Sequence, residues 1–578
     1  MSQRRGRNWR LGLVVALLVV SVLVILAQLV QLQILDHAKY AAQARLTHLE
    51  RESVTSRRGA ILDRHGYPLA ASVNTYDVLV ERRGWQDPAQ AQAAAQQLSP
   101  IVGRSAEEMA AEVATSDIFE VAVARGLNYE QALQLRKLGL RGVRLLESSR
   151  RVYPEGNLAA QLIGFVGQDT VGLSGLEADL EEVLSGKKGT FIYERDGLGR
   201  PIAIGQRRQL PPQPGADVVL TIDRYIQRLA ERELEAAIKK HQASGGTIIV
   251  MNPKTGEVLA MASRPSFDLR NPDVSETSKL ALFRNPATAD QYEPGSVFKL
   301  ITMAAALNEG LVGPWTEWYD DGVVHVNEWS IYNWDYSVNG TQSVTQILSK
   351  SLNTGAAWLA GLLGEDRFYN YLQAFGFGQP TGIGLGGEAP GRVRTPADDP
   401  ANWRPVDLAT NSFGQGISVT PLQLITAISA IANDGVLMRP YAIKELITSK
   451  GRQRFAPQPL RQVMSPEAAR TLLEMMGVVV ESVPGYLLEV QAYKVGGKTG
   501  TANMVTAQGQ YKEDSYISSF AGVAPLDDPV IAVLVKIDEP KGVPWGTVVA
   551  APAFGKIAQA VLTYYKVPPQ EEPLVKAP

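Results

Sequence analysis

The chain has 578 residues, with 57 Lys and Arg against 59 Asp and Glu, and it contains no cysteine. This length predicts two or more domains, and the near-zero net charge gives no indication of a nucleic-acid partner. Without cysteine, thiolate catalysis, disulfides and Cys-ligated metals are excluded. The five histidines are scattered without metal-ligand spacing. We therefore expect neither a metal nor a cofactor.

The N-terminal segment has the pattern of a membrane anchor. Residues 11–35 are uncharged and mostly apolar, long enough to cross a bilayer. Four arginines precede them, Arg4, Arg5, Arg7 and Arg10. These charges predict that residues 1–10 are cytoplasmic and that the chain after Asp36 lies outside the membrane. The alternative is a cleaved signal peptide with Ala42-Gln43-Ala44 as its cleavage site, but the apolar run exceeds the ~7–15 residues of a signal core.

Residues 36–215 predict a mixed α+β domain without a catalytic cluster. A helical pattern continues from Asp36 to about Glu52, as if the membrane helix ran on as a stalk. Short strands with glycine turns follow, then polar helices over 89–98 and 106–115. The Pro-rich segment Leu210–Gly215 marks the expected domain boundary.

Residues 216–566 predict a sheet flanked by helices. Two β-rich runs over 247–251 and 257–262 form a hairpin, and three more runs occur near the C-terminal end, over 493–502, 516–523 and 530–537. Together they predict an antiparallel sheet of about five strands built from both ends of the domain. Mostly helical segments lie between, at 300–307, 344–363, 421–432 and 466–480. The tail 567–578, rich in Pro, Glu and Lys, is expected to be disordered.

A Ser-x-x-Lys motif is the first candidate for catalysis. Pro294-Gly295 predicts a turn, after which Ser296 opens an apolar helix with Lys299 on the same face. A neutral amine at this spacing can activate a serine hydroxyl, and the free N–H groups of a helix start can bind an oxyanion. The same spacing occurs at Ser185 and Lys188 inside a turn, so the motif alone leaves a chance match open.

Two further motifs lie later in the same domain. Ser351-Leu352-Asn353 follows a helical run, where Ser351 has the chemistry to relay a proton and Asn353 to hold an amide. Lys498-Thr499-Gly500-Thr501 has the pattern of a glycine-containing edge strand that a substrate peptide pairs with. Each spacing also occurs in what look like plain turns, at 72–74, 337–339 and 254–256.

The three motifs in this order resemble the signature set of the penicillin-binding proteins and serine β-lactamases. The flanking sequence is more similar to class B penicillin-binding proteins, the monofunctional peptidoglycan D,D-transpeptidases. The segments that carry this similarity are Arg58–Arg64, Gly172–Glu177, Glu293–Ser296, Gly414–Pro421 and Gly497–Thr501. The resemblance extends from the anchor to about Pro569.

The resemblance implies a membrane-anchored fold in three parts. These are a single transmembrane helix over 11–35, an elongated α+β pedestal of the dimerisation type over 36–215, and a transpeptidase domain over 216–566 with a five-stranded antiparallel sheet flanked by helices. In that family the serine is acylated by the D-Ala-D-Ala end of a stem peptide, releases the terminal D-Ala, and passes the acyl group to an amine of a neighbouring strand. β-Lactams acylate the same serine.

The resemblance also implies the roles of the site residues. Ser296 is the nucleophile, Lys299 its base and Ser351 the proton shuttle, with Asn353 beside them. A cationic Lys498, with Thr499 or Thr501, binds the terminal carboxylate of the substrate, and Gly500 leaves room for it. The backbone N–H groups of Ser296 and Thr501 form the oxyanion hole.

Within the family, residues 518–525 and 550–554 favour the division (septal) branch over the elongation branch. No glycosyltransferase signature is found, so a SEDS-type polymerase in the membrane is the expected partner. The alternatives are a β-lactamase, a membrane β-lactam sensor, or an inactive scaffold that keeps the fold. The aromatic-rich segment 315–336 fits a substrate groove and a packed loop equally well, so no role is assigned to it.

Overall fold

A computed structural model describes residues 5–40, 49–194, 202, 207–483, 490, 492–505 and 510–569. The alternative cleavage site at 42–44 and residues 570–578 of the predicted disordered tail 567–578 lie outside these residues. The tail prediction is wrong at Val567, which packs against the C-terminal core and accepts from the Tyr493 hydroxyl at 2.9 Å. The chain divides into two compact units. The first comprises Met1–Arg57 and Gly186–Pro214, and the second comprises Arg58–Ser185 and Gly215–Pro578.

The first unit contains the apolar helix Arg5–Val30, continued by a π-helical turn over Gln31–Leu35. Among the described helices, Trp9–Leu35 is the one long and apolar enough to cross a membrane, and its side chains are exposed. The unit also holds an antiparallel sheet formed, in spatial order, by Leu49–Val54, Gly189–Glu194 and Arg207–Leu210.

The predicted helical stalk is wrong at its C-terminal end. Residues Leu49–Val54 form a strand whose register places Glu52 opposite Phe191. Pairing with a segment distant in sequence thus outweighs the weak local preference for a helix. The sequence of residues 49–54 alone does not indicate this pairing, because the partner strand Gly189–Glu194 lies far along the chain.

The N-terminal part of the second unit is the predicted α+β region. Its strands are Ile61–Leu62, Pro68–Glu81, Glu120–Leu127 and Val143–Val152. Its helices are Pro88–Val102, Ala106–Thr115, Tyr129–Leu138, Ala160–Ile163, Gly175–Asp179 and Glu181–Leu184, with a 3-10 turn at Arg82–Trp85. The two predicted polar helices are confirmed, and each begins at a capping side chain: Asp87 accepts from the Ala89 N–H, and Ser105 accepts from the Glu108 N–H.

The strands of this region belong to a seven-stranded sheet that also contains strands from later in the chain. Ile61–Leu62 pairs in parallel with Asp217–Leu220, which pairs with Ile443–Thr448 and through it with Gly451–Arg454. Hydrogen bonds of one sheet therefore join residues on both sides of position 215. The boundary between residues 215 and 216 stays a prediction.

A five-stranded antiparallel sheet forms the centre of the C-terminal part. We call its strands β1 (Gly245–Met251), β2 (Val258–Arg264), β3 (Gly496–Val505), β4 (Tyr511–Ala524) and β5 (Ile531–Asp538). Their spatial order is β2-β1-β5-β4-β3. This confirms the predicted hairpin of β1 and β2, the sheet built from both ends of the domain, and β3 as an edge strand.

Helices cover both faces of this sheet because successive side chains of each strand point to opposite sides. Ile248 and Val250 share one core with helices Arg224–His241 and Ala551–Tyr564. Ile249 and Met251 belong to the opposite core, together with helix α1 (Lys299–Asn308). The candidate catalytic helix is thus buried against the sheet.

The helical segment predicted over 344–363 is two helices, α2 (Val344–Ser349) and α3 (Asn353–Ala374). They are separated at Ser351, whose backbone is left-handed with φ 57°. The remaining helices are Pro286–Ala289, Pro405–Asn411, Pro421–Ile431, Pro466–Glu481 and Gly546–Val549, with 3-10 turns at Thr277–Phe283 and Gly295–Phe298. Three small two-stranded sheets pair Glu317–Asp320 with Gly340–Ser343, Val323–Val326 with Trp329–Tyr332, and Val436–Met438 with Pro459–Gln462.

Candidate active site

Ser296 lies in a tight turn that leads directly into α1. The turn is a single 3-10 segment, Gly295–Phe298, in which Ser296 is half-buried while its neighbours are buried. Gly295 has φ 57°, and a Cβ there would lie 3.1 Å from the carbonyl oxygen of Thr501. A glycine at this position therefore lets the serine turn pack against β3.

Lys299, the first residue of α1, is 1% exposed. Its Nζ donates to the backbone oxygen of Ser351 at 2.6 Å and to Asn353 Oδ1 at 2.8 Å, and it lies 3.3 Å from Ser351 Oγ. Among the described residues the Ser296 hydroxyl has no hydrogen-bond partner. In this conformation the amine is therefore held by the loop 351–353, one turn away from the serine.

Burial and the nearby charge of Lys498 lower the pKa of Lys299 well below its ordinary value. Burial also lowers the pKa of Lys498, to about 7. Lys299 is thus the neutral amine of the pair, with a lone pair available to accept a proton. A bound carboxylate would raise the pKa of Lys498 and favour its charged form.

Ser351 connects the two amines. Its Oγ lies 3.3 Å from Lys299 Nζ and 3.0 Å from Lys498 Nζ. The residue adopts the left-handed backbone conformation that non-glycine residues seldom take, at the break between α2 and α3. In this conformation its hydroxyl lies near both amines, and its carbonyl oxygen accepts from Lys299 Nζ.

β3 forms the opposite wall of the site. Lys498 is 1% exposed, and its Nζ also donates to the Thr499 carbonyl at 3.1 Å. A Cβ on Gly500 would lie 2.5 Å from Ser519 Oγ and 2.9 Å from the Pro294 oxygen, so only glycine fits here. Thr499 and Thr501 are half-buried along the same strand. No strand among the described residues pairs with the outer edge of β3.

The structure also brings to the site residues that sequence reasoning missed. Glu293 accepts hydrogen bonds from the Gly416 N–H at 2.9 Å and the Tyr511 hydroxyl at 3.2 Å, and burial raises the pKa of Glu293. Asn333, in the aromatic-rich segment, accepts from the Asn353 N–H at 3.0 Å. Glu293 was detectable as the neighbour of the Pro-Gly-Ser turn. No motif around Asn333 indicates its role, because its partners Asn353 and Thr354 are distant from it in sequence.

All three predicted motifs therefore lie around one site. Ser296 comes from the 3-10 turn before α1 and Lys299 from the start of α1. Ser351 comes from the break between α2 and α3, Asn353 from the start of α3, and residues 498–501 from β3. The look-alike at 254–256 lies in the turn between β1 and β2, where Lys254 forms an exposed ion pair with Asp528. In the look-alike at 337–339, Ser337 serves as a backbone acceptor for Asn333.

Two family models match the chain. Residues 246–559 match the penicillin-binding protein transpeptidase domain, and residues 53–220 match the penicillin-binding protein dimerisation domain.

The chain is 36% identical to stage V sporulation protein D of Bacillus subtilis, over 94% of this chain and 84% of that protein. It is 31% identical to the peptidoglycan D,D-transpeptidase FtsI of Escherichia coli, over 97% of this chain and 93% of that protein. Among solved structures, penicillin-binding protein 3 of Mycobacterium tuberculosis, complexed with ampicillin, is 28% identical with a TM-score of 0.69. That match covers 91% of this chain and 100% of the solved chain.

Proposed function

The chain belongs to the class B penicillin-binding proteins, and we propose that it cross-links septal peptidoglycan through an acyl-enzyme on Ser296. It is a peptidoglycan D,D-transpeptidase, with stem peptides as substrate and β-lactams as ligands of the transpeptidase domain. The observation that best supports the residue assignment is the pair of buried amines on either side of the Ser351 hydroxyl, beside the Ser296 turn.

Acylation begins with proton transfer from the Ser296 hydroxyl to the neutral amine of Lys299. The serine oxygen then attacks the carbonyl carbon between the two D-alanines. The negative charge that develops on the carbonyl oxygen is stabilised by the backbone N–H groups of Ser296 and Thr501, each such donor being worth ~2.7–4 kcal/mol. The packing of the Gly295 turn against the Thr501 carbonyl supports this pairing, because it brings both backbones to the same place.

Release of D-Ala requires a proton on the leaving nitrogen. Ser351 donates its hydroxyl proton to that nitrogen and is reprotonated from Lys299, which holds the proton taken from Ser296. The amide bond between the carbonyl carbon of the first D-Ala and the nitrogen of the terminal D-Ala breaks as the acyl-enzyme forms. In the second half-reaction an amine of a neighbouring strand attacks the ester carbonyl, a new amide forms, and the proton returns to Ser296.

The substrate carboxylate fits the wall made by β3. Lys498 in its charged form and the hydroxyls of Thr499 and Thr501 offer one cation and two donors. Gly500 lets this part of β3 pack against Pro294 and Ser519. Asn353 has both ends of its amide engaged within the protein, with Lys299 and with the carbonyl of Tyr332 at 3.1 Å. Its first task is thus to hold the base.

The N-terminal helix anchors the enzyme, with residues 1–10 in the cytoplasm, 11–35 across the membrane and the domains 36–215 and 216–566 outside. The arginines before the helix support this orientation. Glycan polymerisation falls to a SEDS-type polymerase that contacts the anchor and the pedestal.

A fluorescent fusion expressed at native level tests the septal assignment, together with depletion of the protein. Septal fluorescence and filamentous cells on depletion are expected. Fluorescence along the side wall with rounded cells would assign the enzyme to the elongation branch instead. Normal growth without the protein, with a transcriptional response to penicillin lost, would identify a β-lactam sensor.

A further inference from the structure

A buried carboxylate without an ion-pair partner lies behind the loop 351–353. Asp320 is 0% exposed, and no lysine, arginine or histidine of the described chain forms an ion pair with it. Four donors satisfy it instead. Its Oδ1 accepts from the Gly322 N–H at 3.0 Å and the Thr354 hydroxyl at 2.8 Å, and its Oδ2 accepts from the side-chain amides of Asn333 at 2.9 Å and Asn339 at 2.8 Å.

The bond from Asn333 to Asp320 fixes which way the Asn333 amide points. With its Nδ2 on Asp320, its Oδ1 faces the start of α3, where it accepts from the backbone N–H groups of Asn353 at 3.0 Å and Thr354 at 3.3 Å. α3 has no side-chain cap of its own at Leu352. Asn333, 2% exposed, therefore caps the helix from a different segment of the chain.

We propose that Asp320 and Asn333 are positioning residues that keep Asn353, and through it Lys299, in place for acylation. Asn353 Oδ1 is the acceptor for Lys299 Nζ, so a shift at the start of α3 moves the base relative to Ser296. The inference rests on the proposed role of Lys299. It assigns a role to the aromatic-rich segment that the sequence left without one: Asn333 directly follows its strand Trp329–Tyr332.

An amide cannot replace the carboxylate of Asp320. In Asp320→Asn one oxygen becomes an NH2 group, which donates and does not accept. If the NH2 faces Asn333, that side chain must flip and its own NH2 then opposes the α3 N–H groups. If it faces Gly322, a buried backbone N–H loses its partner. The first arrangement removes the cap, so this isosteric change disturbs α3 without altering volume.

Asn339→Ala is the matched control. Asn339 donates to the same Oδ2 of Asp320, but it makes no contact with Asn353 or Thr354 that the structure records. The substitution Asn339→Ala therefore removes one hydrogen bond to the Asp320 carboxylate and leaves the cap on α3 intact.

The experiment measures acylation of the full-length protein in detergent by a fluorescent penicillin over a range of concentrations. This separates the dissociation constant K from the first-order acylation constant k2. We expect k2 to fall 10- to 100-fold in Asp320→Asn and Asn333→Ala, since misplacement by about 1 Å near reacting groups costs up to about a hundredfold. K should change less than about threefold, because the carboxylate is bound by β3. Asn339→Ala should keep the wild-type k2.

Three outcomes would overturn the inference: a wild-type k2 in folded Asn333→Ala, a rise in K with k2 unchanged, or an equal fall of k2 in Asn339→Ala. Thermal melting identifies the folded variants, and Asn333→Ala decides if Asp320→Asn does not fold. Failure of the proposed function looks different, because the wild-type protein itself would then not be acylated at Ser296.

Discussion

The side-chain nitrogens of Lys299 and Lys498 both lie within hydrogen-bonding distance of one hydroxyl, at 3.3 Å and 3.0 Å from Ser351 Oγ. Two ammonium groups in one buried site repel each other, so the pair is most stable with a single charge. The repulsion adds to burial at Lys299, whose pKa falls well below its ordinary value, while the pKa of Lys498 falls to about 7. The arrangement thus supplies a neutral base and a carboxylate-binding cation side by side.

The pH dependence of acylation should report both lysines. Acylation needs Lys299 neutral, so k2/K should rise with pH through the lowered pKa of Lys299. Binding needs Lys498 charged, so k2/K should fall as pH rises above about 7. In Lys498→Arg the alkaline decline should disappear, because a guanidinium stays charged. A wild-type k2/K that is unchanged between about pH 6 and pH 9 would contradict this assignment.

Replacement of Lys299 by Met should abolish most acylation while the protein stays folded. The amine supplies general-base catalysis, typically worth about 10²–10⁴-fold. Lys299→Arg should be as defective, because its side chain cannot become neutral at working pH. Stopped-flow labelling measures the rate. Retention of near-normal acylation by either variant would rule out Lys299 as the base.

Lys498 should lower the free energy of unfolding, because its charged form is buried in the folded protein. Its pKa is about 7 in the folded protein against ~10.4 in the unfolded chain. Between these values the unfolded chain binds more protons, so the free energy of unfolding should rise with pH from about 7 to about 10. Lys498→Met should therefore raise the melting temperature at pH 7, by an increment that shrinks toward pH 10. An increment that grows with pH would contradict the argument.

Gly500→Ala should remove acylation because the new Cβ would meet Ser519 Oγ at 2.5 Å and the Pro294 oxygen at 2.9 Å. Relief of this overlap moves β3 away from the Ser296 turn. Gly361→Ala is the control, since nothing lies within 4 Å of its added Cβ on helix α3. It should be acylated normally and be as stable as the wild type or more so. Normal penicillin labelling of Gly500→Ala would show that β3 does not need glycine there.

A buried ion cluster should control the stability of the N-terminal part of the second unit. Glu177, 0% exposed, accepts from Arg58 at 2.7 Å and Arg151 at 2.6 Å. Glu177→Gln leaves the buried Arg151 guanidinium without a carboxylate partner, while Arg58 keeps its ion pair with Glu181. The change should cost about 3–5 kcal/mol of unfolding free energy. Glu112→Gln, which breaks the exposed pair with Arg104, should cost less than about 1 kcal/mol. Equal effects in denaturant titrations would contradict the role of burial.

Much of this site could be predicted from the sequence because its residues belong to short local motifs. Ser296 and Lys299 are held at a fixed spacing by one helix start, and Gly500 is required by a close approach within a strand. The cap on α3 could not be read, because Asn333 and Asp320 meet the start of α3 only after three separate segments fold together. The strand Leu49–Val54 was missed for the same reason, since its partner Gly189–Glu194 is distant in sequence.

The most direct test of the central claim is mass spectrometry of the protein after reaction with penicillin. We expect one penicilloyl adduct per molecule, on the tryptic peptide that contains Ser296, and none in Ser296→Ala, while Ser185→Ala should label as the wild type does. Stoichiometric labelling of folded Ser296→Ala, or an adduct on any other serine of the wild-type protein, would contradict the claim that Ser296 is the nucleophile.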